Sequence, residues 1–414
     1  MLLLLVMLLT ACHSDDKEEI VNPDEDCYLD IYVYAPDHPI VTRADVGNIK
    51  ASKEEFDVHS LQIWVFKSST GDLVGYLNAG EDGIPIRLNE TNQQVFRMKV
   101  EKSFANAPEA VDVYVVANAA NYVSTTLTGN TTTKPTDLDN AMIGSSSFGT
   151  ATPLVSSVPD GGLPMSAVLK NQSIVGKFPT LRIGTESQIA ALHLTRAVSK
   201  LRFVLCRIKE QTSSTKTLSS INSIKLNGSM IPEETYLMPG TYNYSSYVSG
   251  DITFEDGDFV NNKLMPDKIP PVVNPLVYTY ETQTAQDYEN LIDAAVYSDL
   301  DKLKAYGQAK NIDELKNLTA DDLPQLKQLG LTYLRESDKQ LAGTISYTYN
   351  DNGTPQTKEF TFSMAAAGDF LRNHSWIVYI YYMDSKIYTL TVTYVGMKEW
   401  VSDGQPESPY FYNW

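Results

Sequence analysis

The sequence predicts an all-β protein, built as two tandem β-sandwich domains with a short helical insertion in the second. Three observations predict it. Short apolar stretches that alternate with polar residues recur along the chain between turn-forming residues, which is the pattern of strands with one buried face. Tyrosine outnumbers phenylalanine, 25 to 13 in 414 residues, as expected of sheets with a wet face. An apolar content of 43% in a chain this long is enough for two cores.

The first segment is an export signal. Leu2 to Leu9 is unbroken apolar sequence, followed by Thr10, Ala11 and Cys12. An apolar run with small residues before the cut is a secretory signal, and cysteine at the first mature position makes it a lipobox. The run is far shorter than the ~20 residues needed to span a bilayer. No lysine or arginine precedes it, so the start codon is expected upstream of Met1. Cys12 is the expected lipidation site, and several acyl chains anchor stably where one anchors marginally. His13-Ser14-Asp15-Asp16-Lys17-Glu18-Glu19 then reads as a solvated acidic tether.

Strands follow. Tyr28 to Tyr34 places Leu29, Ile31 and Val33 on one face and Asp30 on the other. Leu61 to Phe66 is too apolar to be one-sided, so both of its faces should be covered. Ser69-Thr70-Gly71-Asp72 supplies a turn and Leu73 to Leu77 returns as a hairpin partner. Val95 to Val100 alternates, and Val111 to Ala117 is a further strand ending at Asn118. Residues 124–162, rich in Ser, Thr, Gly and Asp, read as a long surface loop region. Leu192 to Arg207 and Ile221 to Leu226 resume the strands. Between Ala285 and Ser337 the apolar residues recur at helical spacing, through Ile292, Val296, Leu300 and Leu303 to Leu323, Leu326 and Leu329, with Thr319 and Asp322 as a capping box. Strands then return at Gly343 to Tyr349, a turn at Asn350-Asp351-Asn352-Gly353, Glu359 to Ala365, Ser375 to Met383 and Ile387 to Val395.

Chemistry is scarce. The five histidines lie far apart, and no zinc spacing, nucleophile elbow, phosphate loop or dinucleotide fingerprint occurs. The acidic turn Glu255-Asp256-Gly257-Asp258 lacks the spaced ligands of a calcium loop. No cofactor, metal site or catalytic residue is expected. A net charge of −18 argues against nucleic acid and against adsorption to anionic lipid. Of three cysteines, Cys27 and Cys206 are arithmetically able to pair, but no disulfide framework exists.

Five short motifs, in order, give the chain a resemblance. They are Thr42-Arg43-Ala44-Asp45 after the first strand, Leu61 to Leu77, Val111 to Asn118, Leu194-Thr195-Arg196-Ala197-Val198-Ser199-Lys200-Leu201, and Leu371-Arg372-Asn373-His374-Ser375-Trp376. With the lipobox, they resemble the fimbrillins of Bacteroidetes, the type V pilins of the FimA and Mfa kind. The helical insertion departs from that pattern. The acidic stretch after Cys12 also resembles the surface-export signal of Bacteroidetes lipoproteins.

The resemblance implies Greek-key, transthyretin-like sandwiches: a signal and lipobox at 1–12, a tether and removable first strand at 13–43, an N-terminal domain at 44–190 and a C-terminal domain at 191–414. It implies a surface-exposed outer-membrane lipoprotein, handled by the lipoprotein export machinery and cut by a trypsin-like protease between Arg43 and Ala44. Loss of the strand carrying Leu29, Ile31 and Val33 would open a groove flanked by unpaired backbone. A strand from another copy or a related pilin would fill it. Tyr388, Leu390, Val392 and Tyr394 alternate with Thr389, Thr391 and Thr393, which suits the C-terminal strand either to donate or to complete its own sandwich. The expected role is a structural subunit of an adhesive fimbria; an anchor or tip subunit, or a non-polymerising surface lipoprotein that binds host glycans or matrix, are the alternatives.

Overall fold

In a computed structural model, the described residues are 26–36, 53–88, 93–144, 146–148, 157–207, 215–255, 325–383, 385–395 and 410–411. The first half runs β1 (Cys27–Tyr34), α1 (Lys53–Phe56), β2 (Leu61–Lys67), β3 (Leu73–Asn78), β4 (Gln93–Val100), α2 (Lys102–Asn106), β5 (Val111–Ala117), α3 (Pro135–Asp139), β6 (Met142–Ile143), β7 (Met165–Gln172), β8 (Ile174–Lys177), β9 (Thr180–Ile183), β10 (Ala191–His193) and β11 (Thr195–Arg196). One sheet of this sandwich is ordered β11-β7-β5-β2-β3. In the other, β1 lies between β4 on one edge and β9 and β10 on the opposite edge, with β8 beyond β9.

Both faces of β2 are covered, as its composition requires: Ile63, Trp64, Val65 and Phe66 are all fully buried. The cover on its outer side comes from within the stretch read as surface loop. Thr128 accepts the Trp64 indole N–H at 2.8 Å, Asp139 accepts the Tyr114 hydroxyl at 2.9 Å, and Leu138 of α3 is buried. Much of 124–162 is therefore irregular chain folded onto a sheet, satisfying polar groups that a bare apolar face would leave unmet.

The second half runs β12 (Val198–Arg207), β13 (Lys216–Leu226), β14 (Thr235–Tyr236), β15 (Ile252–Glu255), β16 (Gln325–Arg335), β17 (Leu341–Asp351), β18 (Thr354–Ala365), β19 (His374–Met383), β20 (Lys386–Val395) and β21 (Tyr410–Phe411). Its sheets are β16-β12-β19-β20-β21 and β15-β13-β17-β18. Phe203 of one sheet meets Phe254 and Phe362 of the other edge-on, at 5.4 and 6.0 Å between ring centroids. The hairpin of β17 and β18 turns on Asn352 and Gly353, both with positive φ, as the predicted turn demands.

Two corrections to the sequence reading follow. The helical reading of 285–337 fails over its last part, because Gln325–Arg335 is a strand hydrogen-bonded to β12; residues 285–324 lie outside the described residues. The cause is a bulge. Phe203 pairs with Gly330 and Val204 with Gln328, so Leu329 is an extra residue in β16. A bulge changes which side chains share a face, and a leucine spacing of three then occurs within a strand. The second correction concerns the domain junction. β10 and β11, beyond residue 190, belong to the first sandwich, and the crossing falls between Arg196 and Val198.

Candidate functional site: the slot held by the first strand

β1 is an interior strand. Every residue from Cys27 to Tyr34 is opposed on β4, antiparallel, from Val100 to Gln93. On the other edge Tyr28–Asp30 run parallel to Thr180–Arg182, and Tyr32–Tyr34 run parallel to Ala191–His193. The Tyr28 N–H donates to the Pro179 carbonyl at 2.8 Å, and the Leu194 N–H donates to the Tyr34 carbonyl at 3.0 Å, closing the two ends.

Alternation in β1 sorts its side chains as predicted. Leu29, Ile31 and Val33 are fully buried. Leu29 and Ile31 lie opposite the buried Met98 and Phe96. Cys27 shares their face; it is a buried free thiol, and burial pushes its pKa up. On the opposite face, Asp30 receives both Arg97 Nε and Nη2, at 2.8 and 2.9 Å. Asp26, ahead of the strand, pairs with Lys99 at 2.7 Å, and Tyr34 stacks on His193 at 4.7 Å.

Burial of Leu29, Ile31 and Val33 is worth roughly 1.5–3 kcal/mol each, about 5–9 kcal/mol together. A domain's whole stability is about 5–15 kcal/mol. An empty slot would therefore remove most of the margin, and would also leave facing edges of β4, β9 and β10 unpaired. The strand leads through Ala35 and Pro36 into residues 37–52, and the chain is described again at α1. Arg43, Ala44 and Cys12 lie outside the described residues. A cut anywhere in 37–52 would leave β1 joined to the fold by non-covalent contacts alone.

At the other end of the chain, β20 is paired with β19 along its length, from Lys386 opposite Met383 to Val395 opposite His374. Among the described residues its second edge is met only by β21, at Val392 and Thr393. Register assigns its faces. Thr391 lies beside Val378, which lies beside the core residue Phe203. The threonines thus face the sandwich interior, and Thr391 and Thr393 are 2% and 0% exposed. Tyr388 is also buried, and the side chains of Leu390, Val392 and Tyr394 lie outside the described residues.

The remaining motifs prove to be joints. Asn118, at positive φ, accepts the N–H groups of His59 and Ser60 and donates to the Asp57 carbonyl. Arg196 and Asn373, far apart in sequence, meet at 2.9 Å, and the Asn373 N–H donates to the Val198 carbonyl. Arg372 grips Glu336 and donates to the carbonyls of Tyr236, Leu237 and Met238. Glu55 of α1, buried, takes Lys200 at 2.7 Å and the Tyr333 hydroxyl at 2.6 Å. Sequence reasoning missed Glu55 and Arg97, because each acquires its partner only through pairing across distant segments. Among the described residues, no group of His, Cys, Asp and Glu is arranged to hold a metal.

No family model matches the chain, and no curated protein matches it. Solved structures do. The tip fimbrial protein Mfa3 from Porphyromonas gingivalis, with C-terminal truncation, is 15% identical over 91% of this chain and 100% of its own, with a TM-score of 0.44. The fimbrial anchor protein Mfa2 from Porphyromonas gingivalis is 9% identical over 91% of this chain and 98% of its own, with a TM-score of 0.37. A fimbrial assembly protein from Parabacteroides distasonis is 11% identical over 89% of this chain and 95% of its own, with a TM-score of 0.37.

Proposed function

We propose that the protein is a structural subunit of a cell-surface fimbria, exported as a lipoprotein through Cys12, cut after Arg43 and assembled by exchange of strands between subunits. The observation that carries the reading is the position of β1. It is an interior strand, its apolar face is fully buried, and residues 37–52 connect it to the rest of the chain. Cleavage there releases the lipid and the strand in one event. The cut subunit then lacks a strand that another subunit can supply. Cys27 leaves with the same peptide, consistent with its being a free thiol.

A second reading concerns rank within the fibre. A stalk subunit needs a strand to give as well as a slot to fill. β20 is paired with β19 along its whole length and turns threonine into its own core. That favours a terminal subunit, an anchor or tip, over a stalk subunit.

Replacing Cys12 with alanine should abolish acyl labelling and free the protein from membranes. Replacing Arg43 with alanine should block both the new terminus at Ala44 and the high-molecular-weight ladder. Electron microscopy of cells with and without the gene then separates the two ranks. Loss of fibres indicates a stalk subunit, and fibres of altered number or attachment indicate a terminal one. Unchanged acyl labelling in the Cys12 variant would overturn the lipoprotein reading.

A further inference from the structure

We propose that the β1 slot selects its occupant by charge: it takes an extended strand of another subunit that sets a carboxylate between Arg97 and Arg182, in the pattern apolar–acidic–apolar–any–apolar. The proposal rests on the reading that the slot is emptied and refilled.

Asp30 is the direct register partner of Arg97 on β4 and of Arg182 on β9. The three residues form a row across three strands on the outer face of the sheet, with Asp30 in the middle. The Asp30 side chain is only 13% exposed and is held by both Arg97 Nε and Nη2. Arg182 has a buried Nε without a hydrogen-bond partner, and its Nη2 lies 3.9 Å from the exposed Glu186. Lys99, opposite Tyr28 on the same face, pairs with Asp26. The rim of the slot therefore carries Arg97, Lys99 and Arg182 in a chain whose net charge is −18; Asp30 and Asp26, which pair with Arg97 and Lys99, travel with β1, and only Glu186, 3.9 Å from Arg182, stays behind.

Removing β1 leaves Arg97 and Arg182 facing each other across one vacant strand position, about 10 Å. An incoming lysine there meets two like charges. An incoming aspartate or glutamate restores the row. The acid also fixes register, because a slip by one residue would drive it into the apolar core. β20 of a second copy fits poorly by this criterion. With Tyr388, Leu390, Val392 and Tyr394 in the core positions, only Thr389, Thr391 and Thr393 can face the arginines. The slot thus ranks an acidic strand from a different subunit above β20 of another copy.

The test uses the full chain with a site-specific protease sequence placed at 40–45, nicked after purification. Labelled peptides compete for the slot: 26–35, its Asp30→Asn, Asp30→Lys and Ile31→Lys forms, 386–395, and 386–395 with Thr391→Asp. Peptide 26–35 should enter, and Asp30→Lys should weaken entry about tenfold, with Asp30→Asn between. Thr391→Asp should improve entry of 386–395. On an Arg97→Glu chain the preference should shrink or reverse, and added salt should erode it. The peptide comparison on the unaltered chain stands whether or not that variant folds. If 26–35 enters while Ile31→Lys does not, yet residue 30 has no effect, charge selection is wrong and the slot reading survives. If no peptide enters, the slot does not open, and both fail.

Discussion

At the residue scale, the side chains of β1 alternate between the core and the outer face. Ile31 is fully buried opposite Phe96, whereas Tyr32 is half-buried on the outer face. Ile31→Ala should cost about 2–5 kcal/mol in urea unfolding. Tyr32→Ala should cost well under that. Equal costs would mean that the strand is not seated as described. A second residue-scale expectation concerns alkali. Burial, and then Asp139 beside the hydroxyl, pushes the Tyr114 pKa up; burial and Glu336 do the same to Tyr244, and burial with Asp338 pushes Tyr247 up to about 12. A tyrosine whose folded pKa exceeds its unfolded value of about 10 favours the neutral form in the fold. Its contribution is complete below pH 10 and is lost as pH rises through the folded value. Stability should therefore fall above about pH 10, with these phenols ionising together with unfolding. Simple titration at pH 10 with the fold intact would contradict the burial.

At the element scale, how far the sequence could be read depended on the pairing. β1, β2, β5, β17 and β19 carry enough alternation or apolar density to be seen in one dimension. The turn at Asn352-Gly353 was equally legible, since two successive positive φ angles call for those residues. Gly353→Ala forces φ +85 on a side chain and should cost about 1 kcal/mol, read as a lowered unfolding midpoint. β16 was read as helix because its bulge disturbs the strand period, and only its pairing with β12 reveals it. β7, with Ser166, Lys170, Asn171 and Gln172, is too polar for a pattern to show. The apolar half of the slot was legible in Leu29, Ile31 and Val33. Its basic rim was not, because only strand pairing brings Arg97 and Arg182, far apart in sequence, to the two sides of Asp30.

At the scale of the whole molecule, two sandwiches are tied together next to the slot. α1, the first element described after residues 37–52, is held through Glu55 by Lys200 and Tyr333, and Arg196 donates to the Glu55 carbonyl. The Lys200 and Glu55 side chains are 7% and 1% exposed. Removing one partner of a buried pair costs about 3–5 kcal/mol. Glu55→Gln should lower stability by that order, and adding Lys200→Gln should recover part of it; strictly additive losses would mean that the pair is not coupled. This joint fastens the chain that follows residues 37–52 to the second sandwich by contacts that do not involve β1.

The most direct test of the central claim is cleavage of the full chain at Arg43, followed over time by two readouts on one sample: alkylation of Cys27, identified by mass spectrometry, and the size of the products. While β1 is seated, the buried thiol should resist alkylation. After the cut, labelling of Cys27 should rise in step with heat-resistant assemblies that form on adding a strand-donating subunit, and Arg43→Ala should prevent both. If the cut is efficient and Cys27 stays protected, with the product monomeric at high concentration, then β1 is a permanent strand and assembly through its slot does not occur.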